Sequence, residues 1–124
     1  MPIEKTGFLS KHKLQSKEDD EETSTPRFFI LQGGMLRYFK NEADEFPKGQ
    51  ISLTPNAAAA REIEIDTSAR PHFTVFSVEF PRGMLIKCST NNEMDQWVTS
   101  ITNIAQTSDM ALFKRRELPT WGWW

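Results

Sequence analysis

Thr90-Asn91-Asn92-Glu93-Met94-Asp95-Gln96-Trp97-Val98-Thr99-Ser100-Ile101 decides the fold. Thr90 with Glu93 three residues on has capping-box spacing. Met94, Trp97, Val98, Ile101, Ile104 and Ala105 then recur at intervals of three and four, the period of one helix face. Such a stripe must cover apolar surface, and the only candidates are short β-patterned segments upstream, so the helix is expected to plug an open barrel or sandwich. Trp97 sits on the apolar phase and is read as the central plug rather than as a reactive group.

Working back from the helix, residues 7–14 alternate as a strand and residues 27–31 (Arg-Phe-Phe-Ile-Leu) read as its hairpin partner across the acidic segment 15–26. Gly33-Gly34 marks a turn into residues 35–39, and 41–47 is a loop before 49–53. The alanines of 57–60 are too few for a helix of their own and are read as loop. Residues 62–66 alternate Ile63 and Ile65 against acids, and 72–80 with 84–89 form a hairpin around Pro81-Arg82-Gly83. The expectation is mainly β: seven strands, then one C-terminal helix.

The 124-residue chain carries a formal net charge of −2 and suits one module, residues 1–106, followed by a tail, 107–124. That charge implies no general attraction to nucleic acid or to bulk anionic lipid. Cys88 is the single cysteine, which excludes an intrachain disulfide and points to a buried strand thiol. No basic-then-apolar leader opens the chain, and no apolar run approaches the roughly 20 residues of a membrane span. A cytoplasmic monomer is therefore expected. His12 and His72 lack triad or ligand spacing, and no Gly-rich phosphate loop, paired-Cys motif or nucleophile elbow occurs. Neither catalysis nor a metal or cofactor is expected.

Seven strands ending in a helix with a central Trp, opened by Gly7-Phe8-Leu9-Ser10-Lys11, resemble a pleckstrin homology (PH) domain over about residues 5–106. Arg27-Phe28-Phe29-Ile30-Leu31, Leu36-Arg37-Tyr38-Phe39-Lys40 and Pro47-Lys48-Gly49-Gln50-Ile51-Ser52-Leu53 stand where that family places its second, third and fourth strands. The resemblance implies two nearly orthogonal antiparallel sheets forming a partly open barrel, one end closed by the helix.

Strand parity locates a candidate site without the family. Leu9, Lys11 and Lys13 share one face of the first strand, and Thr25, Arg27, Phe29 and Leu31 share one face of the second. A cation follows an inward phase only where the strand reaches an open mouth, and Lys11 and Arg27 lie at the loop end of one hairpin. Arg offers a fixed fork and Lys a mobile point charge, a pair suited to a multiply phosphorylated ligand. By resemblance, Lys11 and Arg27 match two of the three basic positions of phosphoinositide-binding members, while Thr25 replaces the middle one. Tyr38 and Lys48 fall where some members contact inositol phosphates, and Lys13 is placed to supply the missing charge. The resemblance thus implies a non-enzymatic phosphoinositide headgroup module of modest affinity, recruiting its protein peripherally to membranes.

Glu18-Asp19-Asp20-Glu21-Glu22 lies in the loop rimming that mouth. Each acid at about 10 Å in water opposes a unit negative charge by roughly 0.4 kcal/mol, less with salt. The five together cost on the order of 1 kcal/mol, less than two or three phosphate contacts at roughly 1.5–3 kcal/mol each. The acidic loop also suits a second reading, a protein–protein adaptor using the groove between the helix and residues 62–66. In the tail, Lys114-Arg115-Arg116 lies outside the expected core, and with Trp121, Trp123 and Trp124 it suits a membrane interface or a partner groove. The alternative readings are that these residues pack back on the barrel or belong to the next segment of a longer protein.

Overall fold

Apolar residues two apart on the early segments and three or four apart after Thr90 give eight strands and one helix in the computed structural model, which describes residues 3–12, 24–55, 58–67, 71–107 and 113–118. The strands are β1 (Ile3–His12), β2 (Ser24–Gln32), β3 (Met35–Phe39), β4 (Gly49–Ser52), β5 (Ala60–Asp66), β6 (His72–Ser77) and β7 (Met84–Lys87). The helix α1 (Asn91–Thr107) follows, and then β8 (Lys114–Glu117).

One ladder runs β4-β3-β2-β1-β7-β6-β5-β8, antiparallel throughout except for the parallel β5–β8 pair. The pivot is β1, whose whole length pairs with β2 while only Ser10–His12 pairs with β7. The two halves fold over each other, so Leu9, Phe29, Leu36 and Ile51 of β1–β4 share a core with Ile63, Phe73, Val75 and Ile86 of β5–β7. Hydrogen bonding does not close the sheet, giving the partly open barrel expected. The turn between β2 and β3 uses Gly33 and Gly34 at φ 61° and 77°, the left-handed pair that a tight hairpin requires.

Met94, Trp97, Val98, Ile101 and Ala105 of α1 are buried, and Ile104 packs half-buried at the edge of the same core. The N-terminus is held differently from a strict capping box. Glu93 N donates to Thr90 Oγ1 at 3.1 Å, but the Glu93 carboxylate accepts from the amide of Ser89 (2.8 Å), one residue further out than the cap.

The seven expected strands precede the helix. An eighth follows it, where the sequence has no strand period: Phe113 is buried in the common core and Lys114–Glu117 pairs with β5. The basic triplet is therefore an exposed sheet edge rather than a segment outside the folded core. Burial of Phe113 and a main-chain bond from Leu118 N to Ile65 O (2.8 Å) fix both ends of the strand. Cys88 is half-buried just beyond β7 rather than within it.

Candidate functional site

The β1–β2 register sets Leu9 opposite Arg27 and Lys11 opposite Thr25. Lys11 and Arg27 are thus diagonal neighbours on one face, the face whose other members, Leu9, Phe29 and Leu31, are buried. The helix covers this face at the Lys5–Gly7 end: a Cβ on Gly7 would stand 3.4 Å from Trp97 Cζ2, and Lys5 Nζ lies 5.3 Å from the Trp97 ring centroid. Four residues of strand, about 13 Å, separate Gly7 from Lys11, so the two cations stand at the opposite end from the lid.

Tyr38 of β3 shares this face. Its partner in β2 is Phe29, with ring centroids 5.7 Å apart, and Lys11 Nζ lies 5.0 Å from its ring centroid. Burial raises the phenol pKa, and the positive charge of Arg27, one diagonal step away in the β2–β3 register, pulls it partly back. Arg27 donates from one guanidinium nitrogen to the Pro26 carbonyl at 3.0 Å, which anchors the base of its fork. Phe29 continues the contact inward, edge-on to Trp97 at 6.4 Å. A row of touching rings therefore ties the position of Tyr38 to the helix plug, with an ammonium at each end.

Gly49, by sequence only the start of a strand, is the seat of this ring. It pairs with Tyr38, and a Cβ there would lie 2.5 Å from Tyr38 Oη and 2.6 Å from Cε1. The legible signal was a glycine opposite an aromatic, which means nothing until the β3–β4 register is known. Lys48 precedes it, held by its amide to the Tyr38 carbonyl at 2.8 Å, with an exposed side chain.

The structure thus brings Lys11, Arg27 and Tyr38 together and puts Lys48 one residue past the Tyr38–Gly49 pair. Lys13, the acids 18–22, Trp121, Trp123 and Trp124 lie outside the described residues. Lys114, Arg115 and Arg116 are elsewhere, on β8. Arg115 meets Glu117 at 3.3 Å, while Arg116 bridges Glu62 and Glu64 at 3.1 and 3.4 Å. Two of these three cations already face carboxylates of their own chain. His72 faces Asp66 at 3.6 Å, a cross-strand pair rather than a reactive couple. Chemically, a guanidinium fork, an ammonium and a phenol at one open end suit an oxyanion carrying several negative charges.

Comparison with known proteins agrees with this architecture. The profile of the family described as PH domain matches residues 3–106. A PH domain-containing protein of Dictyostelium discoideum is 31% identical over 100 residues, 81% of this chain and 20% of that protein. Rho GTPase-activating protein 24 of Homo sapiens is 29% identical over 85 residues, 63% of this chain and 11% of that protein. The chain therefore spans a fifth or less of these relatives. Among solved structures, the C-terminal PH domain of pleckstrin in complex with D-myo-Ins(1,2,3,5,6)P5 superposes with TM-score 0.60 at 21% identity, covering 84% of this chain and 96% of that one. A chain in the crystal structure of sifa and skip superposes with TM-score 0.68 at 19% identity, covering 83% and 98%. A family match across the whole barrel and helix, with the same fold in solved members, makes the conclusion direct: this chain belongs to the PH-domain family.

Proposed function

We propose that this chain is a non-enzymatic module that binds phosphoinositide headgroups with modest affinity and recruits its protein to cytoplasmic membrane surfaces. The observation that carries the reading is the meeting of Lys11 and Arg27 around Tyr38 at the end of the barrel away from the helix. Lys11 supplies a mobile charge, Arg27 a fork, and Tyr38 a hydroxyl. Lys48 closes one side, and Lys13 is assigned the remaining contact. The complex of the pleckstrin C-terminal PH domain with an inositol pentakisphosphate lends this ligand class support. Modest affinity follows from Thr25 at the middle basic position and from acids 18–22 nearby in sequence.

The barrel and helix, residues 1–106, would form the binding module. Residues 107–124 would add a membrane or partner contact through Lys114, Arg115 and Arg116 and through Trp121, Trp123 and Trp124. An adaptor role for a protein partner is the competing reading. It would use the groove between the helix and residues 62–66; the outer edge of β5 already carries β8, so addition of a partner strand at that edge would have to displace the chain's own.

The test is a titration with soluble inositol phosphates followed by amide shifts. Shifts at Lys11, Arg27, Tyr38 and Lys48 are expected. Unchanged signals there, with a protein ligand that survives Lys11→Ala plus Arg27→Ala, would establish the adaptor reading instead.

A further inference from the structure

The outer wall of β1–β3 breaks the two-residue alternation. Leu9, Phe29, Leu36 and Tyr38 take the inner face, so the outer positions should be polar, yet Phe8, Phe28 and Phe39 stand there in one cross-strand row. Phe28 and Phe39 are buried, whereas Phe8, at the β1 end of the row, is 55% exposed. The Phe8 and Phe28 rings are tilted by 55° with centroids 5.0 Å apart, an aromatic pair whose outer member is only half covered.

Beside Phe8 the sheet parts. β7 pairs with β1 only through Ser10–His12, and beyond Lys87 its chain turns away: Cys88 N donates to Pro71 O at 2.9 Å and Ser89 N to the Glu93 carboxylate at 2.8 Å. The gap is a recess of about 150 Å³, with Phe8, Ser10, Pro26, Lys87, Cys88 and Ser89 among its walls. A protein cavity of about 150 Å³ accepts benzene, so this recess has room for one aromatic ring. Its backbone is already tied down on the β7 side by the two bonds from Cys88 and Ser89, and little conformational freedom is lost on filling it.

The charge at the recess is that of Lys87. Its side chain alternates outward from the buried Ile86 and forms no ion pair among the described residues. Glu93, the acid next to this turn, has one carboxylate oxygen committed to the Ser89 amide. We infer that the recess binds a partner protein through one aromatic side chain seated against Phe8 and Pro26, with a carboxylate of an adjacent partner residue on the Lys87 ammonium. Such a ring extends the row Phe39, Phe28, Phe8 and covers its half-exposed end, while the cation selects an acidic neighbour. Ser10 faces the recess and Lys11 the opposite side of β1, so this site and the headgroup site stand or fall separately.

The experiment is an amide-shift titration of the full chain with the tripeptide acetyl-Glu-Phe-Glu-amide, which carries an acid on each side of the ring. Shifts at Phe8, Ser10, Lys87, Cys88 and Ser89 are expected, with a Kd of about 1 mM for so small a ligand. Acetyl-Glu-Ala-Glu-amide should bind about tenfold or more weakly, because the ring supplies the buried area. Acetyl-Gln-Phe-Gln-amide, and separately Lys87→Gln, should each weaken binding about threefold, as loss of an exposed ion pair does. Ser10→Leu, which fills the recess, should remove the shifts, and a saturating soluble inositol polyphosphate should leave them unchanged. No shift at the recess with the ring-bearing peptide overturns the inference, as does equal binding of the alanine or the glutamine peptide. Shifts that appear only after residues 119–124 are deleted would make the chain's own tail the occupant, and displacement by the inositol polyphosphate would make the recess part of the headgroup site; either result overturns the partner.

Discussion

Lys11 and Tyr38 are joined across two strands by a cation over a ring, with Nζ 5.0 Å from the centroid, and Arg27 completes the group from the diagonal position of the strand between them. The cation–π contact is worth about 0.5–1 kcal/mol at such a half-exposed place. A charge-assisted bond to a phosphate oxygen is worth about 1.5–3 kcal/mol. For the proposed ligand, phosphate contacts would therefore outweigh the folding role of these cations. Lys11→Ala plus Arg27→Ala is expected to weaken inositol polyphosphate binding at least 100-fold, from roughly tenfold or more at each site, while unfolding stability falls by about 1 kcal/mol or less. Calorimetry and urea unfolding check the two numbers; a large stability loss with unchanged binding would reverse the assignment.

Gly49 tests whether the seat of the Tyr38 ring is rigid. A methyl at 2.5–2.6 Å from the Tyr38 hydroxyl oxygen and two ring carbons cannot coexist with the present ring position. The ring in turn leans on Phe29 and lies under Lys11. Gly49→Ala is expected to cost about 1–3 kcal/mol, as overpacking does, and to move the Tyr38 ring resonances. Adding Tyr38→Ala should recover part of that loss, a coupling readable in a double-mutant cycle. Additive effects would show that the ring yields without cost.

The sequence made the barrel legible because its signals were redundant. Two-residue alternation, the Gly33-Gly34 turn and the Met94 to Ala105 stripe each pointed to one architecture, and the parity that grouped Lys11 with Leu9 needed no knowledge of the rest. What stayed hidden depended on register or on contacts distant in sequence. Gly49 matters only because Tyr38 is its cross-strand partner. Glu93 reaches Ser89 instead of Thr90, a choice made by the backbone path out of β7. Lys114–Glu117 has no apolar alternation because all four side chains are exposed; burial of the preceding Phe113 and the carboxylates of β5 define the strand.

Arg116 shows how far β8 depends on charge. Glu62 and Glu64 are about three-quarters shielded from solvent, and Glu62 Oε2 is buried without a well-aligned hydrogen bond, so its contact with Arg116 is chiefly electrostatic. Exposed pairs are worth about 0–1 kcal/mol, and reversing the sign adds repulsion of similar size. Arg116→Glu is expected to lower stability by about 1–2 kcal/mol and to speed hydrogen exchange at the Leu118 amide, which bonds Ile65 O. Unchanged protection at Leu118 would mean that Phe113 alone holds the strand in place.

Cys88 gives the chain a stability term at high pH. Burial, reinforced by the nearby negative charge of Glu93, pushes its thiol up to about 12, above the ordinary value of 9.0. In the unfolded chain the thiol loses its proton near the ordinary value, while the folded chain keeps it. The folded state therefore binds more protons across that interval, and stability must fall as pH rises. The contribution is complete below about pH 9 and is lost progressively from there towards 12. Cys88→Ser, which has no group titrating in that range, should show a flatter decline when urea midpoints are compared between pH 8 and 11. Alkylation by iodoacetamide offers a second check, since only the thiolate reacts: native protein at pH 9 is expected to be modified far more slowly than unfolded protein. Parallel pH profiles for parent and variant, together with rapid native alkylation, would place the thiol in solvent with an ordinary pKa.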